Sequence, residues 1–153
     1  MARKIKASAS LAVATDGDDI LIGSNREDQP GDVLDGGAGN DYLDAFQGAD
    51  TLTGGSGADT FKLHSWASSN VTYGVDTITD FSVAEGDVID LSNISYYSGV
   101  DHMDVRDIMF ADVELTPIAG GNELHVAVWE GDATWDVTMI VLGETPVESS
   151  FIF

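Results

Sequence analysis

Cysteine is absent from this 153-residue chain, and basic side chains are scarce: six lysines and arginines face 27 aspartates and glutamates. The first absence excludes a disulfide framework, a thiolate metal site and a thiol nucleophile. The second leaves a formal net charge of -21, a self-repulsion that opposes compaction and that the chain's own cations cannot neutralise. Three of those cations, Arg3, Lys4 and Lys6, stand in the first six positions, leaving Arg26, Lys62 and Arg106 for the rest. Such a chain is disordered, has a halophile-like solvated surface, or takes positive charge from outside. Apolar runs of 18 or more are also missing, so no membrane insertion is expected.

Catalytic signatures are missing too. His64, His102 and His125 are the only histidines, and none belongs to an H-E-x-x-H pattern or a close ligand pair. Neither G-x-S-x-G nor a phosphate-binding loop occurs. The expectation is a chain that is not an enzyme by itself.

What is present is glycine and aspartate in register. Hydrophobic residues reach an ordinary 43%, enough for one or two small lobes. Residues 1–13, with a basic head and a short apolar stretch from Ala9, read as a leader or linker. From Ala14 the chain repeats every nine residues. Gly36-Gly37-Ala38-Gly39-Asn40-Asp41-Tyr42-Leu43-Asp44 and Gly54-Gly55-Ser56-Gly57-Ala58-Asp59-Thr60-Phe61-Lys62 both fit G-G-x-G-x-D-x-U-x, with U large and apolar. Between them, Ala45 to Thr53 keeps Gly48, Asp50 and Leu52 but has Ala45 and Phe46 where two glycines belong. Ala14 to Ile22 keeps Gly17, Asp19 and Leu21. Glu27 to Asp35 keeps Asp32 and Leu34, carries Pro30 in fourth place, and follows four extra residues, Gly23 to Arg26.

Physically, each unit supplies a six-residue turn and a three-residue strand, so two units close a flattened circuit and turns stack two units apart. Glycine provides the positive-φ conformations such turns need. Leu21, Leu34, Leu43, Leu52 and Phe61 point inward as a thin core ladder. Asp19, Asp41 and Asp59 then share one side, Asp32 and Asp50 the other, where bare carboxylates repel. Calcium suits the arrangement because it takes six to eight oxygen ligands, carbonyls included. About three interturn calcium sites are expected.

Residues 14–62 resemble the β-roll of RTX proteins, the calcium-binding repeats of bacterial type I secreted toxins, proteases and lipases. Further on, Gly57-Ala58-Asp59-Thr60-Phe61, Asp76-Thr77-Ile78-Thr79-Asp80-Phe81 and Gly86-Asp87-Val88-Ile89-Asp90-Leu91-Ser92 are similar to the C-terminal domain of serralysin-type metalloproteases. The resemblance implies calcium ligands from aspartate side chains and turn carbonyls: Thr15, Gly17 and Asp19; Pro30 and Asp32; Gly36, Gly37, Ala38, Gly39 and Asp41; Gly48 and Asp50; Gly54, Gly55, Ser56, Gly57 and Asp59. Asp76 would close the last site. It further implies a secreted, extracellular protein of Gram-negative type I export, with the secretion machinery as partner.

Residues 63–153 are expected to cap the roll as an antiparallel sheet or sandwich. Leu124, Val126 and Val128 alternate, as do Trp135, Val137, Met139 and Val141 after a turn at Gly131-Asp132, a hairpin signal. Val88 to Leu91 and Val113 to Leu115 would join that sheet, and Val105 to Phe110 carries a brief helical pattern. Glu148 to Phe153, acidic then apolar, resembles a type I secretion signal; an edge strand or a frayed end is the alternative.

The fold class is thus all-β: a parallel roll of nonapeptide repeats with an antiparallel cap. The expected function is a module that folds on binding extracellular calcium and supports type I secretion and stabilisation of a secreted protein. An alternative is a carbohydrate-binding module for an alginate-like polysaccharide, with Trp66, Tyr73, Tyr96, Tyr97, Trp129 and Trp135 as candidate sugar contacts. The net charge disfavours nucleic acid as partner.

Overall fold

A computed structural model describes residues 3–6, 11–24, 31–46, 48–63, 74–92, 94, 113–130 and 133–153, with side chains undescribed at 127–130 and 133–137. The strands in chain order are β1 (Arg3–Lys6), β2 (Leu11–Val13), β3 (Asp19–Ile22), β4 (Val33–Asp35), β5 (Tyr42–Asp44), β6 (Thr51–Thr53) and β7 (Thr60–Lys62). They continue with β8 (Asp76–Phe81), β9 (Val88–Asp90), β10 (Val113–Ile118), β11 (Gly121–Glu130), β12 (Ala133–Gly143) and β13 (Phe151–Ile152).

Odd and even units separate into two sheets, as the nine-residue period requires. One sheet, of six strands among the described residues, runs β1-β3-β5-β7-β9-β13 and is parallel throughout. The other, of seven, runs β10-β11-β12-β8-β6-β4-β2. It is parallel from β2 to β12 and antiparallel from β12 to β10. The all-β parallel roll expected from the repeats is therefore the observed fold.

The core lies between the sheets as two facing rows. Leu21, Leu43, Phe61 and Ile89 are in register on one, and Ala12, Leu34, Leu52, Ile78 and Val141 on the other. All are buried. With strands only three residues long, each contributes one inward side chain per coil, so depth comes from stacking.

Two expectations differ from the structure. Residues 1–13 are not simply a leader, because Arg3–Lys6 pairs with β3 and Leu11–Val13 with β4, and Ala12 joins the core. Val88 to Leu91 does not belong to an antiparallel cap; β9 continues the parallel sheet beside β7. The antiparallel cap itself is present as β10, β11 and β12. The β11–β12 hairpin, paired Leu124 to Met139 and Val126 to Val137, extends the second sheet because β12 lies parallel to β8. The physical reason is shared: a solenoid end exposes unpaired backbone, and any strand with an apolar inward residue at matching height satisfies it. Val105 to Phe110 and the Gly131-Asp132 turn fall outside the described residues.

The chain's last strand, β13, pairs parallel with β9, and Leu91 N–H donates to the Ile152 carbonyl at 2.7 Å. Phe151 is buried there, so this segment takes the edge-strand form. No helix among the described residues is long and apolar enough to cross a membrane.

Candidate metal centre

The strands are short because each is flanked by turns whose backbone must fold back tightly. Gly37, Gly39, Gly55 and Gly57 have φ of 85°, 128°, 96° and 126°, which disfavours any side chain. Stacking adds a second constraint: a Cβ on Gly55 or Gly57 would lie 1.9 Å from the carbonyl oxygen of Gly37 or Gly39 one coil below. The turns are locked by main-chain bonds, Gly39 N–H to Ser56 O at 2.9 Å and Ser56 N–H to Gly37 O at 3.0 Å. Asp16, Ala38 and Ser56 form bridges in the same column, and Gly17 N–H donates to Ala38 O. In the other column Gly48 has φ of 141°, and a Cβ there would lie 2.7 Å from Asp50 Oδ1. Phe46, standing where a glycine belongs, takes φ of 69°.

These turns align the sixth-position aspartates. Asp19 N–H donates to Asp41 Oδ1 at 2.7 Å, Asp41 N–H to Asp59 Oδ1 at 2.8 Å, and Asp59 N–H to Asp87 Oδ1 at 2.9 Å. On the other side Asp32 N–H donates to Asp50 Oδ1 at 2.6 Å, and Asp50 N–H to Asp76 Oδ1 at 2.9 Å. Thus Asp19, Asp41 and Asp59 share one column and Asp32, Asp50 and Asp76 the other. Pro30 lies outside the described residues.

One oxygen of Asp41, Asp50 and Asp59 is therefore satisfied, as is Asp32 Oδ2 by the Ser24 N–H, and the other oxygen distinguishes the positions. Asp32 Oδ1, Asp41 Oδ2, Asp50 Oδ2 and Asp59 Oδ2 are buried without a hydrogen-bond donor. A buried, unsatisfied carboxylate oxygen is costly, and several stacked together are more so. Asp19 differs, since Thr15 donates both N–H and Oγ1–H to its Oδ2 at 2.9 and 2.8 Å. Those bonds hold the Asp19 carboxyl below the ordinary value. Burial pushes Asp41 and Asp87 upward, Asp59 up to about 6 and Asp50 up to about 7. Neighbouring charge adds to this, chiefly Asp87 on Asp59 and Asp76 on Asp50.

The donor set is all oxygen. A Cβ on Gly36 would lie 2.6 Å from both Asp41 Oδ2 and the Gly54 carbonyl, so only glycine leaves room beside these two oxygens. Among the described residues no three histidines or acidic side chains cluster as a metal cage. Oxygens beyond the paired carboxylates must come from main-chain carbonyls, which calcium accepts and zinc does not favour. His125, whose ring lies 3.3 Å from Thr138 Oγ1, sits on the hairpin away from the turns.

Sequence reasoning missed Asp87. Its signal was present, since Asp87-Val88-Ile89-Asp90 follows the D-x-U-x pattern of Asp59-Thr60-Phe61-Lys62. The paired glycines that open the other turns are lacking, with Gly86 alone in the loop at φ of 98°, and the preceding loop is longer.

The RTX calcium-binding nonapeptide repeat family, in four copies, matches residues 31–61. Among solved structures the chain is similar to a subunit of the mannuronan C5-epimerase of Azotobacter vinelandii, with 27% identity and a TM-score of 0.53. That match covers 87% of this chain and 72% of the other. Comparison with curated proteins gives no match. Residues 31–61 are RTX calcium-binding nonapeptide repeats, and the chain carries them in a parallel β-roll that binds several calcium ions.

Proposed function

We propose that calcium is the folding switch of this chain, and that the folded module stabilises a secreted protein exported by the type I route. The observation that carries this reading is the set of four buried carboxylate oxygens without donors, at Asp32, Asp41, Asp50 and Asp59. The aspartates Asp19, Asp32, Asp41, Asp50, Asp59 and Asp76 act as ligands, with turn oxygens from Thr15, Gly17, Pro30, Gly36, Gly37, Ala38, Gly39, Gly48, Gly54, Gly55, Ser56 and Gly57. Without a dication, repulsion and the entropy of 17 glycines outweigh a one-residue-wide core ladder.

Extracellular calcium modules bind in the weak range, near millimolar. At tenfold excess each site contributes about 1.4 kcal/mol, so three or four sites give about 4 to 6 kcal/mol, comparable with a domain's whole stability. Inside a cell, where calcium is scarce, the chain stays export-competent; outside, it folds. This chain has no catalytic role in the reading.

Far-UV circular dichroism during a calcium titration from chelator tests it, with magnesium as control. A cooperative gain of β signal with calcium alone is expected. A chain already folded in chelator would overturn the switch.

A second reading is a module that binds an alginate-like polysaccharide. The similarity to a subunit of a mannuronan epimerase favours it. Trp129 and Trp135 fall on the hairpin strands β11 and β12. Trp66, Tyr73, Tyr96 and Tyr97 lie outside the described residues. Retardation of the calcium-loaded chain in gels containing alginate, against a neutral polysaccharide, tests it.

A further inference from the structure

The register of the second sheet continues past the last repeat in an unexpected way. Thr53 and Thr79 face each other, with Oγ1 atoms 2.8 Å apart, so the residue after each occupies the same height. Gly54, the first residue of its turn, is therefore matched by Asp80. Likewise Asp59, the last residue of that turn, is matched by Asp87, whose Oδ1 accepts its N–H. The loop Asp80 to Asp87 is a further turn of the column, two residues longer than Gly54 to Asp59, with a carboxylate in the position of the first glycine.

That carboxylate is turned toward the repeat. Asp80 Oδ1 accepts from Gly54 N–H at 3.0 Å and Asp80 Oδ2 from Gly55 N–H at 2.8 Å. On the same glycine, a Cβ at Gly54 would lie 2.3 Å from Asp59 Oδ2. Asp59 is 1% exposed, and this oxygen has no donor. The equivalent oxygen one coil earlier, Asp41 Oδ2, stands beside the carbonyl of Gly54 in the next turn, which places the free oxygens on the C-terminal side of their turns. Asp59 Oδ2 accordingly faces the loop 80–87. The oxygens of Asp87 are engaged instead by Asp59 N–H and Ser82 N–H, each at 2.9 Å.

We propose that the gap between turn Gly54 to Asp59 and the loop Asp80 to Asp87 is an additional calcium site, in which Asp59 Oδ2 and the Asp80 carboxylate are the side-chain ligands. It differs from the interturn sites of the repeats because Asp80 brings a charged oxygen where they have glycine. Affinity in calcium sites rises with ligand charge and rigidity. This site, set against the long β8 and the hairpin beyond it, therefore fills at lower calcium than the repeat sites and joins the roll to the cap.

The proposal rests on the calcium reading above and is tested apart from it. Calcium binding to the full chain is measured by calorimetry and by equilibrium dialysis for wild type, Asp80→Asn and Asp41→Asn. The asparagine keeps the volume and one acceptor of Asp80. The expected result is one ion fewer bound by Asp80→Asn, lost from the tightest step, while Asp41→Asn weakens the later steps. Unchanged stoichiometry and first-step affinity in Asp80→Asn, with the wild type binding calcium, would overturn the site and leave the switch standing. A wild type that binds no calcium would overturn both. Should Asp80→Asn fail to fold in excess calcium, the side-chain carboxyl carbon resonance of Asp80 in the wild type decides. Movement with the first equivalent supports ligation, and a resonance unmoved through the titration refutes it.

Discussion

The backbone N–H of Asp41 donates to Oδ1 of Asp59 at 2.8 Å, while the second oxygen of each carboxylate is buried with no donor. One half of each side chain thus builds the column and the other half leaves a negative oxygen that only a cation can satisfy. The polypeptide encodes the scaffold and its instability in the same residue.

Because Asp41 stands between Asp19 and Asp59, it belongs to two interturn gaps. Asp41→Ala is expected to raise the calcium midpoint of folding by about tenfold or more, each tenfold corresponding to about 1.4 kcal/mol. The same titration on Glu114→Ala, on the exposed side of β10, serves as reference. Unchanged affinity in Asp41→Ala would remove the stacking register as the basis of binding.

Acidity acts on the same groups. Asp50 and Asp59, pushed up to about 7 and about 6, hold protons more tightly in the roll than in the unfolded chain. Their contribution to the calcium-free fold is fully present below the ordinary value of 3.8 and is lost as pH rises through about 6 and then about 7. The chain in chelator should therefore gain β signal as pH is lowered from neutral toward 4. Protons compete with calcium at these oxygens, so the calcium midpoint should rise over the same range. A midpoint flat between pH 8 and pH 5 would contradict the involvement of these carboxylates.

Two residues with positive φ should respond in opposite ways. Gly57→Ala places a methyl 1.9 Å from the Gly39 carbonyl at φ of 126°, so it should cost more than about 3 kcal/mol in saturating calcium. Phe46→Gly relieves a left-handed conformation at φ of 69° while adding chain entropy, and should leave urea stability within about 1 kcal/mol.

An ion pair buried on the other face of the roll gives a further test. Lys62 Nζ lies 2.9 Å from Asp90 Oδ1 and 3.0 Å from Ser92 Oγ, and Lys62 is 2% exposed. Burial works to raise the Asp90 carboxyl, but the bonds from Ser92 and Lys62 prevail and hold it low. Asp90→Asn leaves a buried ammonium without its counter-charge and should cost about 3 to 5 kcal/mol. Lys62→Met together with Asp90→Asn should recover most of that loss, measured by urea unfolding in excess calcium.

Much of this could be read from the chain because nine-residue periodicity is local. The inward ladder of Leu21, Leu34, Leu43, Leu52 and Phe61 and the two aspartate columns follow from counting alone, and the structure places those residues so. Asp87 and Asp80 escaped because their turn lacks the paired glycines and is two residues longer, so the count breaks although the column does not.

The sequence by itself determined the period, the separation of odd and even units, and an oxygen-only donor set poor in its own cations. Only the tertiary structure decided how the ends are finished. Arg3–Lys6 and Leu11–Val13 enter the sheets, β12 lies parallel to β8, and Phe151–Ile152 closes on β9. Those pairings join segments far apart in the chain through at most three apolar residues each, Ile5 alone in β1, and many short strands carry such a pattern. Which edge a strand satisfies depends on the height and spacing of the edges left open, and that is a property of the assembled roll.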